Sequence, residues 1–244
     1  PAAPSRGGSG KSGRLRREGA GGLVITQAIG LTRAKLRAPR VAAAAGILFS
    51  ILLLAVFWLM RRSVPADPLE PGAWLHGGAS NVALALNLVP FAGVAFLWFV
   101  GFLRDRLGTR EDQFFATIFF GSAVLLLAML FAAAAVIGAV ILAFHAAPNV
   151  LINSATFHFG RGLAYGMVNI YLVKTASVFM MTTSTIALYT GLTPRWLAFG
   201  GYVVAAILLI GSYYIDWSLV VFPFWVLFVS INIWLKGDER EVCP

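Results

Sequence analysis

Lys174 is the single charged residue between positions 162 and 194, in a stretch that is otherwise apolar or uncharged. A run of that length is typical of a membrane-spanning helix, and a charged side chain inside such a span is commonly functional. Counted from the far end of the run, however, Lys174 lies only about three residues below the membrane surface. Because a lysine stem can reach that surface, we weigh a functional role for Lys174 against extension into the headgroups.

Asn87 and Pro90 interrupt a second apolar stretch. Proline leaves the carbonyl of Leu86 without its helical donor, and the Asn87 amide is near enough to help satisfy it, so we predict a kink there. The amide of Asn169 and the hydroxyl of Thr183 lie in the first run. A polar path through the membrane, in a small transporter or channel, would be lined by these residues: Asn87, Pro90, Asn169, Lys174 and Thr183.

The hydroxyl run at residues 182–185 also has a plainer interpretation. In membrane helices such hydroxyls usually bond carbonyls of their own helix or bridge to a neighbour, so we interpret the run as packing. Three pairs of small residues have a spacing of four: Gly162 with Gly166, Ala134 with Gly138, and Gly201 with Ala205. They predict close helix contacts within the chain or between copies.

Three histidines, His76, His145 and His158, fall on one predicted side of the membrane. They lack the spacing of a helical ligand pair and have no acidic cluster beside them, so we predict no metal site. The chain has no G-x-S-x-G or H-E-x-x-H pattern. An enzyme at this surface would need His145, His158 and Arg161 in one pocket. We expect a protein that is not an enzyme and has no cofactor.

Composition places the chain among membrane proteins, because 59% of its 244 residues are hydrophobic and its mean hydropathy is +0.82. The net charge of +9 does not indicate nucleic acid, since nine of the 19 basic residues precede Val41. The lone cysteine, Cys243, excludes an intrachain disulfide framework.

The uncharged runs predict an all-α, polytopic transmembrane bundle with six spans. The predicted crossings are residues 41–60, 81–103, 114–134, 171–190, 196–213 and 217–235. If the amino terminus is inside, 15 Lys and Arg lie on the cytoplasmic side, against Arg61, Arg62 and Arg161 outside. This bias predicts that both termini are cytoplasmic.

Residues 1–22 have the composition of a free basic tail, and residues 236–244 form a second charged tail. Residues 23–40 carry four basic side chains that would contact anionic lipid headgroups or a partner: Arg33, Lys35, Arg37 and Arg40. A short interfacial helix and an ordinary positive flank are equally good interpretations of this segment.

The third and fourth apolar segments are longer than a bilayer requires. Residues 114–144 contain no charge, and as a helix these 31 residues would extend about 46 Å, against about 30 Å for the hydrocarbon core. We expect this pair to project outward. Three arrangements would account for the excess length. Either the connecting loop covers the projecting apolar ends, or another protein covers them, or the first helix of the pair breaks at Gly138.

Residues 87–108, NLVPFAGVAFLWFVGFLRDRLG, and residues 191–203, GLTPRWLAFGGYV, resemble bacterial multi-pass membrane proteins without an assigned activity. The resemblance implies an inner-membrane location and brings no catalytic residues. Our leading hypothesis is an accessory or structural subunit of a larger membrane complex, with anionic lipids, other subunits or copies of itself as partners. The hypothesis rests on the basic tail, the overlong apolar hairpin and the absence of a catalytic constellation.

Overall fold

The computed structural model describes residues 40–67, 69–107, 113–191, 193–211 and 218–242, with the backbone alone at 105–107, 113 and 236–242. This part of the chain is helical and contains no strand. The helices are α1 (Arg40–Ser63), α2 (Leu75–Leu107), α3 (Gln113–Ala146), α4 (Pro148–Leu151), α5 (Ala155–Gly166), α6 (Val173–Thr190), α7 (Arg195–Gly211) and α8 (Ser218–Val242). A 3-10 turn, Gly72–Trp74, precedes α2, and a π-helical segment, Met167–Leu172, joins α5 to α6.

Among the residues that the structure describes, five helical segments are long and apolar enough to cross a membrane. They are Arg40–Ser63, Gly72–Arg104, Phe114–Ala146, Ala155–Thr190 and Ser218–Leu235. The prediction of an all-helical protein with membrane-spanning helices is therefore confirmed, and the sixth span stays a prediction. Helix α7 is apolar but has only 17 residues, which is about 26 Å and slightly less than the hydrocarbon core.

Several helix boundaries differ from the prediction. Helix α2 begins at Leu75 rather than at residue 81, and α8 continues to Val242, so that the charged tail predicted at 236–244 is largely helical. The segment predicted as a loop after α3 forms α4 and the start of α5. Ser154 begins α5 as its N-cap, because its hydroxyl accepts a hydrogen bond from the Phe157 amide at 3.1 Å.

A cluster of phenylalanines joins five helices at the centre of the larger core. Phe179 of α6 lies 5.2 Å from Phe119 of α3, 5.1 Å from Phe96 of α2 and 6.1 Å from Phe222 of α8, measured between ring centroids. Phe49 of α1 lies 4.6 Å from Phe96. All five rings are buried. Aromatic pairs at these distances attract one another, so this cluster fixes the relative positions of the five helices.

A second, smaller core lies at the far end of the long hairpin. Its buried members are Leu75, Val82, Ile137, Val140, Ile141, Phe144, Leu151, Phe157 and Ala164. Helix α3 runs through Gly138 without interruption, so the predicted break there is wrong. The connecting segment and the start of α2 instead cover one face of the projecting end.

Small residues allow close approach at several helix crossings, although only one predicted pair takes part. A Cβ added to Gly201 would lie 2.2 Å from Ser184 Oγ, and one added to Gly160 would lie 2.9 Å from Val140. A Cβ added to Gly162 or Gly166 would meet no atom within 4 Å in the described structure. The approach of α5 to α3 therefore occurs at Gly160, and Gly162 and Gly166 make no such contact within the described chain.

Candidate functional site

Arg161 is buried at the end of the hairpin, with 4% of its surface exposed. Its guanidinium donates hydrogen bonds to three backbone carbonyls in the segment that joins α1 to α2. Nη1 bonds Glu70 at 2.6 Å, and Nη2 bonds both Pro65, at 2.9 Å, and Asp67. A planar, five-donor group suits such an array of acceptors. Arg161 thus ties the segment before α2 to α5.

The surroundings of Arg161 reinforce this connection. Its guanidinium carbon lies 5.9 Å from the centre of the Trp74 ring, within cation–π range. The Trp74 ring also lies 6.4 Å from Phe157, and the Gly72 amide donates to the Ile152 carbonyl at 3.2 Å. The cation is therefore enclosed by three backbone oxygens and the face of Trp74, which is an arrangement for holding structure rather than for binding substrate.

Three residues of the hypothetical polar path, Asn87, Asn169 and Thr183, donate hydrogen bonds to the carbonyl four residues earlier in the chain. The Asn87 amide donates to the Ala83 carbonyl at 2.9 Å, rather than to Leu86 as predicted, and the Asn169 amide donates to Tyr165 at 3.1 Å. Thr183 donates to Phe179 at 2.7 Å. Pro90 lies within α2, which continues through it as helix, and is exposed.

Lys174 is exposed on the surface of α6, and its two preceding neighbours, Leu172 and Val173, are buried. This placement agrees with extension toward the headgroups, which stays a prediction. The other basic residues predicted to contact headgroups or a partner, Arg33, Lys35 and Arg37, lie outside the described residues, and Arg40 begins α1.

The hydroxyl run binds α6 to itself and to α7. Thr182 and Thr185 donate to carbonyls of their own helix, as the packing interpretation predicts. The Thr185 hydroxyl also lies 2.5 Å from the Tyr202 hydroxyl of α7. Ser184 differs, because its buried hydroxyl has no hydrogen-bond partner among the described residues and faces Gly201.

The three histidines make local aromatic contacts, and two of them, His76 and His145, pack against the same ring, Phe144. His76 packs against Phe144, with 5.1 Å between ring centroids, and His158 packs against Phe157 at 5.5 Å. His145 lines an open groove between α2 and α3 that also includes Asn87. Arg161 makes its three hydrogen bonds to the segment between α1 and α2. The pocket that an enzyme built on His145, His158 and Arg161 would need is not formed by these contacts.

Within the described residues, no group of three His, Cys, Asp or Glu side chains is arranged to hold a metal ion. The sequence indicated Arg161 as a candidate but gave no sign of its acceptors, because backbone carbonyls carry no residue signature. The one available signal was a lone arginine in an apolar hairpin opposite a proline-rich segment.

Comparison with protein-family models, with curated proteins and with solved structures finds no match for the chain. The resemblance to bacterial multi-pass proteins therefore stays a prediction. The classification therefore comes from the described residues, which are all-helical and include five helices long and apolar enough to cross a membrane.

Proposed function

We propose that the chain is a non-catalytic subunit of a larger membrane protein assembly in the bacterial inner membrane. The observation that supports this most directly is the exposure of apolar side chains on the face of α5 that carries Phe159 and Leu163. The opposite face of that helix is buried against the rest of the chain through Phe157, Gly160, Arg161 and Ala164.

The face of α5 that no described residue covers combines large apolar side chains with small residues. Phe159 is 71% exposed and Leu163 is 38% exposed. Gly162 and Gly166 lie on the same side with open space before them. Residues at spacings of three and four share one helix face, and small residues beside apolar ones favour the close packing of another membrane helix.

The distance of this face from the hydrocarbon core indicates that a protein, rather than lipid, contacts it. The apolar segment Ala155–Thr190 has 36 residues, which is about 54 Å of helix against about 30 Å of hydrocarbon. If the core is counted from Thr190, it ends near Tyr171, and Phe159 lies about 18 Å beyond it. An apolar surface exposed at that level favours a partner protein.

We further propose that α7 is the sixth span and that both termini are cytoplasmic. Helix α7 packs between two spanning candidates, since Gly201 lies against Ser184 of α6 and Trp225 of α8. Its outward side carries Phe199, Val203 and Ile207, all more than half exposed. A lipid-facing stripe of this kind suits a helix that crosses the membrane, and a shortfall of a few ångströms costs little.

The subunit proposal is tested by native electrophoresis of the chain extracted from its own membranes in polymer-bounded lipid discs. The wild-type chain should migrate with other subunits, and Gly162→Leu should release it because the leucine fills the space before α5. Gly200→Leu is the matched control, since a Cβ at Gly200 also meets no described atom within 4 Å but Gly200 lies on α7. A wild-type chain that migrates alone as a monomer would contradict the proposal.

A further inference from the structure

The uncovered face of α5 continues into the membrane-spanning part of α6. The two helices and the π-helical segment between them form one continuous helical run, Ala155–Thr190, and all three parts pack against α3. On the outer side, positions that are exposed or face open space recur at spacings of three or four residues, which keeps them on one side of a helix. They form the α5–α6 face: Phe159, Leu163, Gly166, Ile170 and Lys174.

Lys174 lies inside the hydrocarbon by two separate counts. Counted from Thr190, it lies about 24 Å into a core that is about 30 Å thick. Counted along α3, whose predicted crossing begins at residue 114, Phe119 lies about 8 Å deep. The Phe119 ring stacks on Phe179 at 5.2 Å, and Lys174 lies five residues beyond Phe179, about 15 Å deep. The start of α5 lies outside the core on both counts, so the α5–α6 face crosses the membrane boundary.

A charged side chain at this depth is costly unless it meets a counter-charge. Among the side chains that the structure describes, the carboxylates are those of Asp67 and Glu70, and both belong to the segment that Arg161 binds before α2. Helical side chains point back toward the preceding turn, so the Lys174 ammonium extends along the outer surface beside Ile170. The described part of the chain therefore presents this cation outward, without an acidic side chain at its level.

A second copy of the chain does not complement the α5–α6 face. Copies in one membrane share their orientation, so this face would meet its own equivalent in parallel across a two-fold axis. Lys174 would then face the same residue of the other copy at the same depth, and like charges repel strongly where water does not screen them. Charge complementarity therefore favours a different protein as the occupant.

We propose that the α5–α6 face binds a membrane helix of a different subunit, and that this helix carries an Asp or Glu at the level of Lys174. The carboxylate pairs with the Lys174 ammonium in a charge-assisted hydrogen bond. Gly162 and Gly166 permit close approach of the two backbones, and the partner helix continues past the hydrocarbon to cover Phe159 and Leu163. The inference rests on the proposed subunit function and specifies the chemistry of the partner.

Lys174→Met tests the charge pair, because methionine keeps an apolar stem and removes the ammonium. The assembly extracted in mild detergent is diluted in steps and followed by native electrophoresis. The apparent Kd for release of the chain should rise by about tenfold or more, since the partner's carboxylate is left unpaired. Lys174→Arg is the matched control and should stay assembled, because it keeps the charge. Circular dichroism should show equal helical content in both variants.

A zero-length cross-link identifies the acidic residue of the partner. Dicyclohexylcarbodiimide enters hydrocarbon and activates a carboxyl group there, and the Lys174 amine then displaces dicyclohexylurea to form an amide bond. Mass spectrometry of the digested wild-type assembly should find Lys174 joined to an Asp or Glu within an apolar segment of another subunit. Lys174→Arg should give no such peptide, because a guanidinium is not nucleophilic under these conditions.

The outcomes separate this inference from the proposed function. If Lys174→Met stays assembled while Gly162→Leu is released, the acidic partner is wrong and the subunit function stands, with the ammonium extending to phospholipid phosphates instead. A cross-link from Lys174 to a carboxylate of the same chain or of a second copy would also overturn the inference. A wild-type chain that migrates alone would overturn the subunit function and this inference together.

Discussion

Arg161 Nη1 donates a 2.6 Å hydrogen bond to the carbonyl of Glu70, a residue 91 positions earlier in the chain. This bond and its two companions connect α5 to the segment between α1 and α2. Burial of the guanidinium costs solvation free energy, and the negative charges of Glu70 and Asp67 offset part of that cost. Three helices are thus held by one side chain at the end of the bundle.

Arg161→Met should destabilise the chain, because three carbonyls lose a charged donor and Trp74 loses its cation. A hydrogen bond to a charged group contributes about 1.5–3 kcal/mol, and water can replace part of that for the exposed loop residues, so we expect a loss on the order of 3 kcal/mol. The change is measured as a lower Tm in detergent.

Arg62→Met is the control for this experiment. Arg62 is exposed, and its guanidinium lies 5.1 Å from the centre of the Trp58 ring. An exposed cation–π contact is weak, so the Tm should hardly change. If Arg161→Met were as stable as Arg62→Met, Arg161 would not hold the two segments together.

Two adjacent glycines of α7 should respond in opposite directions to alanine. A Cβ at Gly201 would lie 2.2 Å from Ser184 Oγ and 2.9 Å from Trp225 Nε1, whereas one at Gly200 would meet nothing within 4 Å. Gly201→Ala should therefore lower stability by about 1–3 kcal/mol through overpacking. Gly200→Ala should leave it unchanged or raise it by about 0.5–1 kcal/mol, because alanine favours the helix.

Unfolding in a denaturing detergent, followed by circular dichroism, measures both alanine variants against the wild-type chain. Equal effects of the two substitutions would show that α7 is not packed against α6 and α8 as the structure has it. Because both positions have the same helical environment, the difference between them reports tertiary packing and not helix propensity.

The sequence predicted the spanning helices because uncharged runs longer than a bilayer have few alternatives to membrane insertion. It missed the start of α2, which was predicted at residue 81 and lies at Leu75. The structure gives Gly78 a packing role: a Cβ there would lie 2.9 Å from the Ser63 carbonyl. Glycine at this position permits contact between α1 and α2, which a single-residue propensity does not reveal.

The candidate site was harder to predict. Arg161 was visible as a charge in an apolar hairpin, but its acceptors are carbonyls of Pro65, Asp67 and Glu70, and their side chains give no indication of that role. The π-helical segment Met167–Leu172 has no sequence signal either. Gly162 and Gly166 were predicted as contacts, yet sequence alone could not distinguish a contact within the chain from one with a partner.

The position of the two termini tests whether α7 crosses the membrane. Helix α7 is about 4 Å shorter than the hydrocarbon core, but it packs against α6 through Gly201 and through the Tyr202 hydroxyl. With six spans, the two ends lie on the same side.

The native Cys243 is the only cysteine, so it reports the carboxyl terminus directly. Ser9→Cys, combined with Cys243→Ser, reports the amino terminus, and Ala66→Cys in the same background reports the opposite side. A membrane-impermeant maleimide applied to spheroplasts should label the Ala66→Cys variant alone, and all three should react after lysis. Labelling at Cys243 in intact spheroplasts, with Ser9→Cys protected, would instead mean that five helices cross and that α7 does not.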